Sequence, residues 1–219
     1  MAEPTYRYKP VWDVFLRTAH WWNTVTLGLQ LVTGTVIILL GEEIEGAARD
    51  KLLFIHLAFG YLFGAGLFTR LLWLSVGPRT ARLNDMLPLS PYQRRVFVDT
   101  LRYYAGRLKG EPPLYFAHNS FAGIIYVAFF AVAAAQILTG TMIFNTPEHM
   151  REELFAIELH EAGYFFILFF VAAHLFAVFV HELVERHGII SAMVHGRKAF
   201  TEEDIETLKA EGGMYERKD

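Results

Sequence analysis

Charge is missing from four long stretches of this 219-residue chain, 18–41, 52–69, 112–147 and 162–181. Each supplies the roughly 20 apolar residues that cross a bilayer as a helix. In lipid every backbone polar group needs an internal partner, so the chain must use helices or a closed barrel, and runs this long and this apolar are helical runs. The pattern predicts an all-α membrane protein, a four-transmembrane-helix bundle with helices over about 18–41, 52–74, 117–145 and 158–182 and a tail over 183–219. We read 1–219 as a single integral membrane domain. The opening "MAEPTYRYKP" lacks the short basic leader and cleavage pattern of a signal peptide, so the first helix is expected to be retained.

Basic residues orient the bundle. Of the 20 Lys and Arg, 17 fall in the N-terminal segment, the second loop and the tail, and only 3 in the first and third loops. The positive-inside rule then predicts both termini in the cytoplasm, with helices 2 and 4 running from outside to inside. A net charge of −3, with the basic residues set beside membrane spans, offers nothing for nucleic acid. The second loop is longer than a connection needs. Its segment "SPYQRRVFVDTLRYYAGRLKG" places Val96, Phe97, Leu101, Tyr104 and Leu108 at near-helical spacing, which predicts a surface amphipathic helix capped at Ser90-Pro91. The tail after Gly196 reads as a short exposed helix with a frayed end. The outer loops "EEIEGAARDK" and "PEHMREEL" are too short to be catalytic domains, and read as docking loops or as plain solvated ones.

The chain has no cysteine. Thiolate-held haem, c-type haem, iron–sulfur clusters and internal disulfides are excluded, so metal chemistry within this chain must use histidine. Of nine histidines, His20 and His56 lie near the starts of helices 1 and 2, His160 near the start of helix 4, and His174 well inside it. Fourteen residues separate His160 from His174, about 21 Å of rise and a return to within about 40° of the same face. One helix thus offers two imidazoles on one stripe at opposite depths. His56 matches the outer level of His160, and His20 the inner level of His174, so depth alone suggests two bis-histidine sites. Gly34, fourteen residues after His20, shares that stripe at the outer level, where a missing side chain makes room for a flat macrocycle. Gly60 and Gly64 fit that role or ordinary small-residue helix packing equally well.

Helices 1 and 3 share a motif, "LQLVTGTVII" at 29–38 and "AQILTGTMIF" at 135–144, which suggests a common packing need at the outer level. The position fourteen before Gly140 is Tyr126, so helix 3 is not expected to supply a ligand. Two nitrogens per site suit haem and not zinc, which wants four ligands. The competing reading keeps His20, His56, His160 and His174 as satisfied core groups or as a proton path, a costly use of four ionisable residues in a membrane.

"RTAHWWNTVTLGLQLVTG" (17–34) resembles the R-x-x-H-W…T-G signature of the b-type cytochrome subunit of membrane-bound nickel–iron hydrogenases, with Arg17, His20, Trp21, Thr33 and Gly34 in register. The resemblance continues through "RLLWLSVGPRTARL", "AHNSFAG", "LHEAGY", "AHLF" and "MVHGRKAF", over nearly the whole chain. The cytochromes b of formate dehydrogenases and thiosulfate reductases share R-x-x-H-W, and the helix 2 exit "RLLWLSVGPRTARL" and the tail motif "MVHGRKAF" narrow the likeness to the hydrogenase branch. It implies a four-helix protein of the bacterial cytoplasmic (inner) membrane that binds two haems b as axial ligand pairs His20/His174 and His56/His160. Electrons would pass from the small and large subunits of a periplasmic hydrogenase, which hold the iron–sulfur and nickel–iron centres, to a membrane quinone.

This chain would then be an electron-transfer subunit and not an enzyme alone, with no catalytic residue of its own. The alternatives are a formate dehydrogenase or similar respiratory cytochrome b subunit and, in another class, a non-redox membrane anchor or proton conduit. Extra histidines follow helix 4, and His181, one heptad past His174, competes for the inner position. Arg70, fourteen residues after His56, reaches the inner level, where it would pair with a haem propionate or snorkel to the headgroups. The resemblance places quinone at the inner end of helix 3, with His118 and Asn119 of "AHNS" as its contacts and Arg70 or Tyr115 as neighbours; both contacts also suit a plain helix cap.

Overall fold

The computed structural model describes residues 5–41, 43–151, 153–185 and 187–214. Glu42 and Glu152 of the acidic loops and the last five residues of the tail lie outside the described residues. In chain order the elements are strand β1 (Tyr6–Pro10), α1 (Val14–Leu40), α2 (Gly46–Val76), the short α3 (Leu83–Met86), α4 (Pro91–Ala105), α5 (Ser120–Asn145), α6 (Phe155–Glu185), α7 (Ile189–His195), β2 (Arg197–Thr201) and α8 (Glu202–Ala210).

Four helices, α1, α2, α5 and α6, are long and apolar enough to cross a membrane, with mean hydropathy from 1.7 to 2.3. Their outward faces carry side chains such as Phe169, 74% exposed, and Phe176, 70% exposed. Such exposure would be costly in water and is neutral in lipid. The helix over 52–74 starts earlier than expected, at Gly46, because the chain enters it through a left-handed glycine (φ +58°) and the charged turn "GAARDK" continues as helix.

Contacts sort the chain into two groups of residues. One comprises 18–71 and 128–173. Its core is Phe63, Leu67 and Ala133, with Leu27, Phe130 and Ile137 packed around them, and Phe129 stacks on Phe170 at 4.2 Å. Gly64 lets Ile137 approach α2: a Cβ there would stand 3.4 Å from its Cδ1. The second group comprises 1–17, 72–127 and 174–219. In it β1 and β2 form an antiparallel ribbon, Tyr6 opposite Thr201 through Pro10 opposite Arg197, which brings the N-terminal segment and the tail to one place.

The ribbon changes the reading of the tail. A helix is present, α8, entered through a capping box between Thr201 and Asp204. It is preceded by a strand, and Lys198, Phe200, Ile205 and Leu208 are buried where an exposed segment was expected. Phe200, Ile205 and Leu208 pack with Val11, Tyr92, Val96 and Phe116. The amphipathic helix is α4, opened by Ser90 and Gln93 in a capping box with Pro91 in the first turn. Its inward face is Tyr92, Val96, Thr100 and Tyr103, whereas Leu101 and Tyr104 are exposed and Leu108 lies beyond the helix at positive φ. The apolar face toward the protein is therefore offset from the stripe the spacing suggested.

Candidate cofactor site

His56 on α2 and His160 on α6 face one another with ring centroids 6.4 Å apart and planes at 78°. Two imidazoles that each bond a central transition metal through one nitrogen at about 2 Å place their centroids about 6 Å apart, so this spacing suits a shared metal between them.

The repeated Q-x-x-T-G-T motif holds both rings. Thr33 Oγ1 lies 2.7 Å from His56 Nδ1, and Thr139 Oγ1 lies 2.9 Å from His160 Nδ1. Each hydroxyl already donates its one proton to a carbonyl of its own helix, Thr33 to Leu29 O at 2.8 Å and Thr139 to Ala135 O at 2.8 Å. Toward the imidazole each oxygen can only accept, which assigns the proton to Nδ1 in both rings and leaves a lone pair on Nε2. Among the described residues no hydrogen bond engages either Nε2.

The glutamines of the motif act on the backbone of the same two histidines. Gln30 Nε2 donates to His56 O, and Gln136 Nε2 donates to His160 O at 3.0 Å. A second hydrogen bond to a helical carbonyl needs open space one turn on, and glycine provides it on both helices. A Cβ at Gly60 would stand 2.9 Å from Gln30 Nε2, and one at Gly163 would overlap Gln136. The motif glycines flank the rings: a Cβ at Gly34 would come 3.5 Å from His56 Cε1 and from the Tyr164 ring, and one at Gly140 3.1 Å from His160 Cε1. Thr35, whose hydroxyl proton goes to Leu31 O at 2.7 Å, accepts from Tyr164 Oη at 2.7 Å, closing the contact of α1 with α6. Sequence reasoning noticed the repeat and not its use. Thr33, Thr139, Gln30 and Gln136 are site residues it missed, although the repeat itself was the signal.

The donor set fits haem b. Two neutral nitrogens at metal-sandwich spacing, flanked by glycines, match a group that brings its own four equatorial ligands. Among the described residues no three His, Cys, Asp or Glu gather to hold a bare ion. At the same end a cavity of about 570 Å³ is walled by Ile37, Leu52, Leu53 and Phe165, with Arg49 and Glu161 at its rim.

The remaining candidates are placed as follows. His20 on α1 stands edge-on to Trp21 at 5.3 Å. His174 on α6 stands edge-on to Tyr126 at 6.0 Å. Arg70 is buried, with its guanidinium 5.8 Å from the Phe130 ring. His181 Nε2 lies 2.7 Å from Tyr104 Oη, which ties α6 to α4. His118 Nδ1 lies 2.7 Å from Asp85 Oδ2, whose carboxylate also accepts from the His118 backbone N–H at 3.2 Å, and Trp12 packs on the His118 ring at 4.6 Å. Asn119 caps α5 by accepting from Phe121 N at 2.9 Å, and its amide donates to Thr100 Oγ1 at 2.9 Å. Tyr115 offers its carbonyl and its ring face to Lys198 Nζ, the ring centroid 4.3 Å away. Asp85 and Lys198 carried no sequence signal, because a charge beside a membrane span reads as solvated.

The profile of the prokaryotic cytochrome b561 family matches residues 11–196. Three curated relatives, from Bradyrhizobium diazoefficiens, Cupriavidus necator and Rhodobacter capsulatus, each bear the name probable Ni/Fe-hydrogenase B-type cytochrome subunit. Each is 26% identical to this chain, over 87%, 87% and 90% of it and 85%, 86% and 83% of the relative. The match spans all four long helices and includes both clamped histidines, so the chain belongs to the prokaryotic cytochrome b561 family, multi-pass membrane cytochromes that carry b-type haem.

Proposed function

We propose that this chain is the cytochrome b subunit of a membrane-bound nickel–iron hydrogenase, passing electrons from a periplasmic hydrogenase to the quinone pool. The single observation that carries the redox reading is the facing pair His56 and His160, each with Nδ1 committed to a threonine and Nε2 left available at 6.4 Å ring separation. The names of the relatives support the hydrogenase as partner.

Two haems b are proposed. His56 and His160 would hold the outer one, beside Gly34. His20 and His174 would hold the inner one, a pairing that rests on helix depth in the sequence, with Arg70 as partner to a propionate. That His181 Nε2 is engaged by Tyr104 favours His174 for the inner position. Haem when bound supplies one-electron redox chemistry. The chain's own work is to present neutral ligands, fix their tautomers and enclose them in apolar helices.

At the quinone end His118 is the proposed proton donor. Its imidazole is held by the Asp85 carboxylate through Nδ1, and Nε2 would be the exchanging nitrogen. Asn119 has both polar atoms engaged, so its part is to position α5 and His118, with quinone contact left to the imidazole.

The test is the purified complex. Its reduced visible spectrum and haem content should show two haems b per chain, with hydrogenase subunits co-purifying. His118→Ala should leave both haems reducible by hydrogen while quinone reduction collapses. A folded, haem-replete preparation without b-type bands would remove the redox reading in favour of an anchor or proton conduit, and co-purifying formate dehydrogenase subunits would replace the partner.

A further inference from the structure

We infer that the two Q-x-x-T-G-T segments are a duplicated ligand clamp, in which the Thr33 and Thr139 hydroxyls are positioning residues that set the redox potential of the haem held by His56 and His160. The inference rests on the proposed ligation by that pair. Each segment makes the same three contacts with a histidine on the next helix in the chain. The glutamine binds its carbonyl, the threonine accepts from its Nδ1–H, and the glycine lies against its Cε1. Helix packing alone explains one such set. It does not explain why chemically identical sets meet the two members of one facing pair.

The chemistry of the contact is specific. A hydroxyl whose proton is already spent on a backbone carbonyl presents only lone pairs to Nδ1–H. Hydrogen bonding there increases electron density on the far nitrogen, stabilises the oxidised metal, and so lowers the potential. Both acceptors are neutral, and neither demands a compensating charge in the membrane. Because the two distances, 2.7 and 2.9 Å, are nearly equal, the two hydroxyls should act about equally.

The experiment is a spectroelectrochemical titration of each haem in the intact complex for Thr33→Val, Thr139→Val and the corresponding serine variants. Valine keeps the shape and removes the hydroxyl; serine keeps the hydroxyl and removes the methyl. Each valine variant should retain two haems and raise the potential of one and the same haem. At fixed poise its reduced-to-oxidised ratio should rise several-fold, up to tenfold, which for one electron is 59 mV. The serine variants should titrate like the wild type. A packing role predicts the reverse order, with serine perturbed and valine silent, and that result overturns the inference. So do unchanged potentials in both valine variants. If a valine variant loses its haem while serine keeps it at wild-type potential, dependence on the hydroxyl stands; loss in both overturns it. Unchanged haem content in His56→Ala marks a different failure, that of the ligation itself.

Discussion

The groups that hydrogen-bond His56 and His160 across helices are all neutral, whereas those where the N-terminal strand and the tail meet include buried charges. In the first region the partners are Thr33 and Gln30, repeated as Thr139 and Gln136. In the second they are the Asp85–His118 pair, Lys198 on the carbonyls of Tyr115 and Phe116 at 3.2 Å each, and Arg17 on the Val194 carbonyl, with no repeat. The difference follows from what each place can tolerate. Within apolar helices a charged partner would have to be desolvated, so neutral groups hold His56 and His160, whereas beyond the spans a charge can be matched, as Asp85 is by His118 and Lys198 by two carbonyls.

The largest effect is expected at the proposed ligands. His56→Ala and His160→Ala should each abolish the same haem completely and leave one per chain by haem quantitation. Loss of different haems would dissolve the facing pair as a site. The next largest effect is expected at Asp85. Asp85→Asn keeps the shape and an acceptor for His118 Nδ1 but removes the charge. Quinone reduction should fall about tenfold, less than the roughly hundredfold contribution of a direct proton donor. Hydrogen-driven haem reduction should stay intact. Normal quinone turnover would show that the carboxylate only anchors the loop.

The two regions also differ in how far the sequence revealed them. Lipid imposes long charge-free runs, so the four spans were legible, and helix rise put His56 and His160 at one level. Their rings do lie 6.4 Å apart. The clamp was visible only as a repeat, because linking Thr33 to His56 requires the mutual rotation of two helices, which a featureless apolar run does not encode. The ribbon of Tyr6–Pro10 with Arg197–Thr201 escaped for another reason. Its pairing spans almost the whole chain, the Tyr-Arg-Tyr-Lys alternation of the first strand is only four residues long, and the second, Arg-Lys-Ala-Phe-Thr, does not alternate. Lys198 and Asp85 were missed because their counterparts, backbone carbonyls and one histidine, are distant in sequence.

Lys198 tests whether the charged region is built as tightly as the neutral one. It is 2% exposed, and its ammonium sits against the Tyr115 and Phe200 rings at 4.3 and 5.3 Å. Lys198→Met keeps the stem and deprives two buried carbonyls of this donor, at a cost of about 1–3 kcal/mol. The visible readout is a lower Tm for the detergent-solubilised protein with haem content unchanged. A wild-type Tm would mean that water replaces the ammonium there.

The smallest effect is expected on the outside of the same region, where Arg95 on α4 meets Glu211 just past α8 at 2.5 Å, with 54% and 33% of the side chains exposed. The contact joins the amphipathic helix to the tail, and a short distance invites the reading that it holds them together. Solvent argues otherwise. Water screens the Coulomb attraction, and fixing two long side chains in one geometry costs entropy, so an exposed pair contributes about 0–1 kcal/mol. The work of joining is done beneath it by Tyr92, Val96, Phe200, Ile205 and Leu208, whose burial does not depend on salt. Glu211→Gln should therefore lower Tm by a degree or two at low ionic strength, and the difference should vanish at about 1 M salt, where the Debye length is about 3 Å. A larger loss that persists in high salt would place Glu211 among the buried determinants of the tail, and would make the charged region as tightly specified as the clamp around His56 and His160.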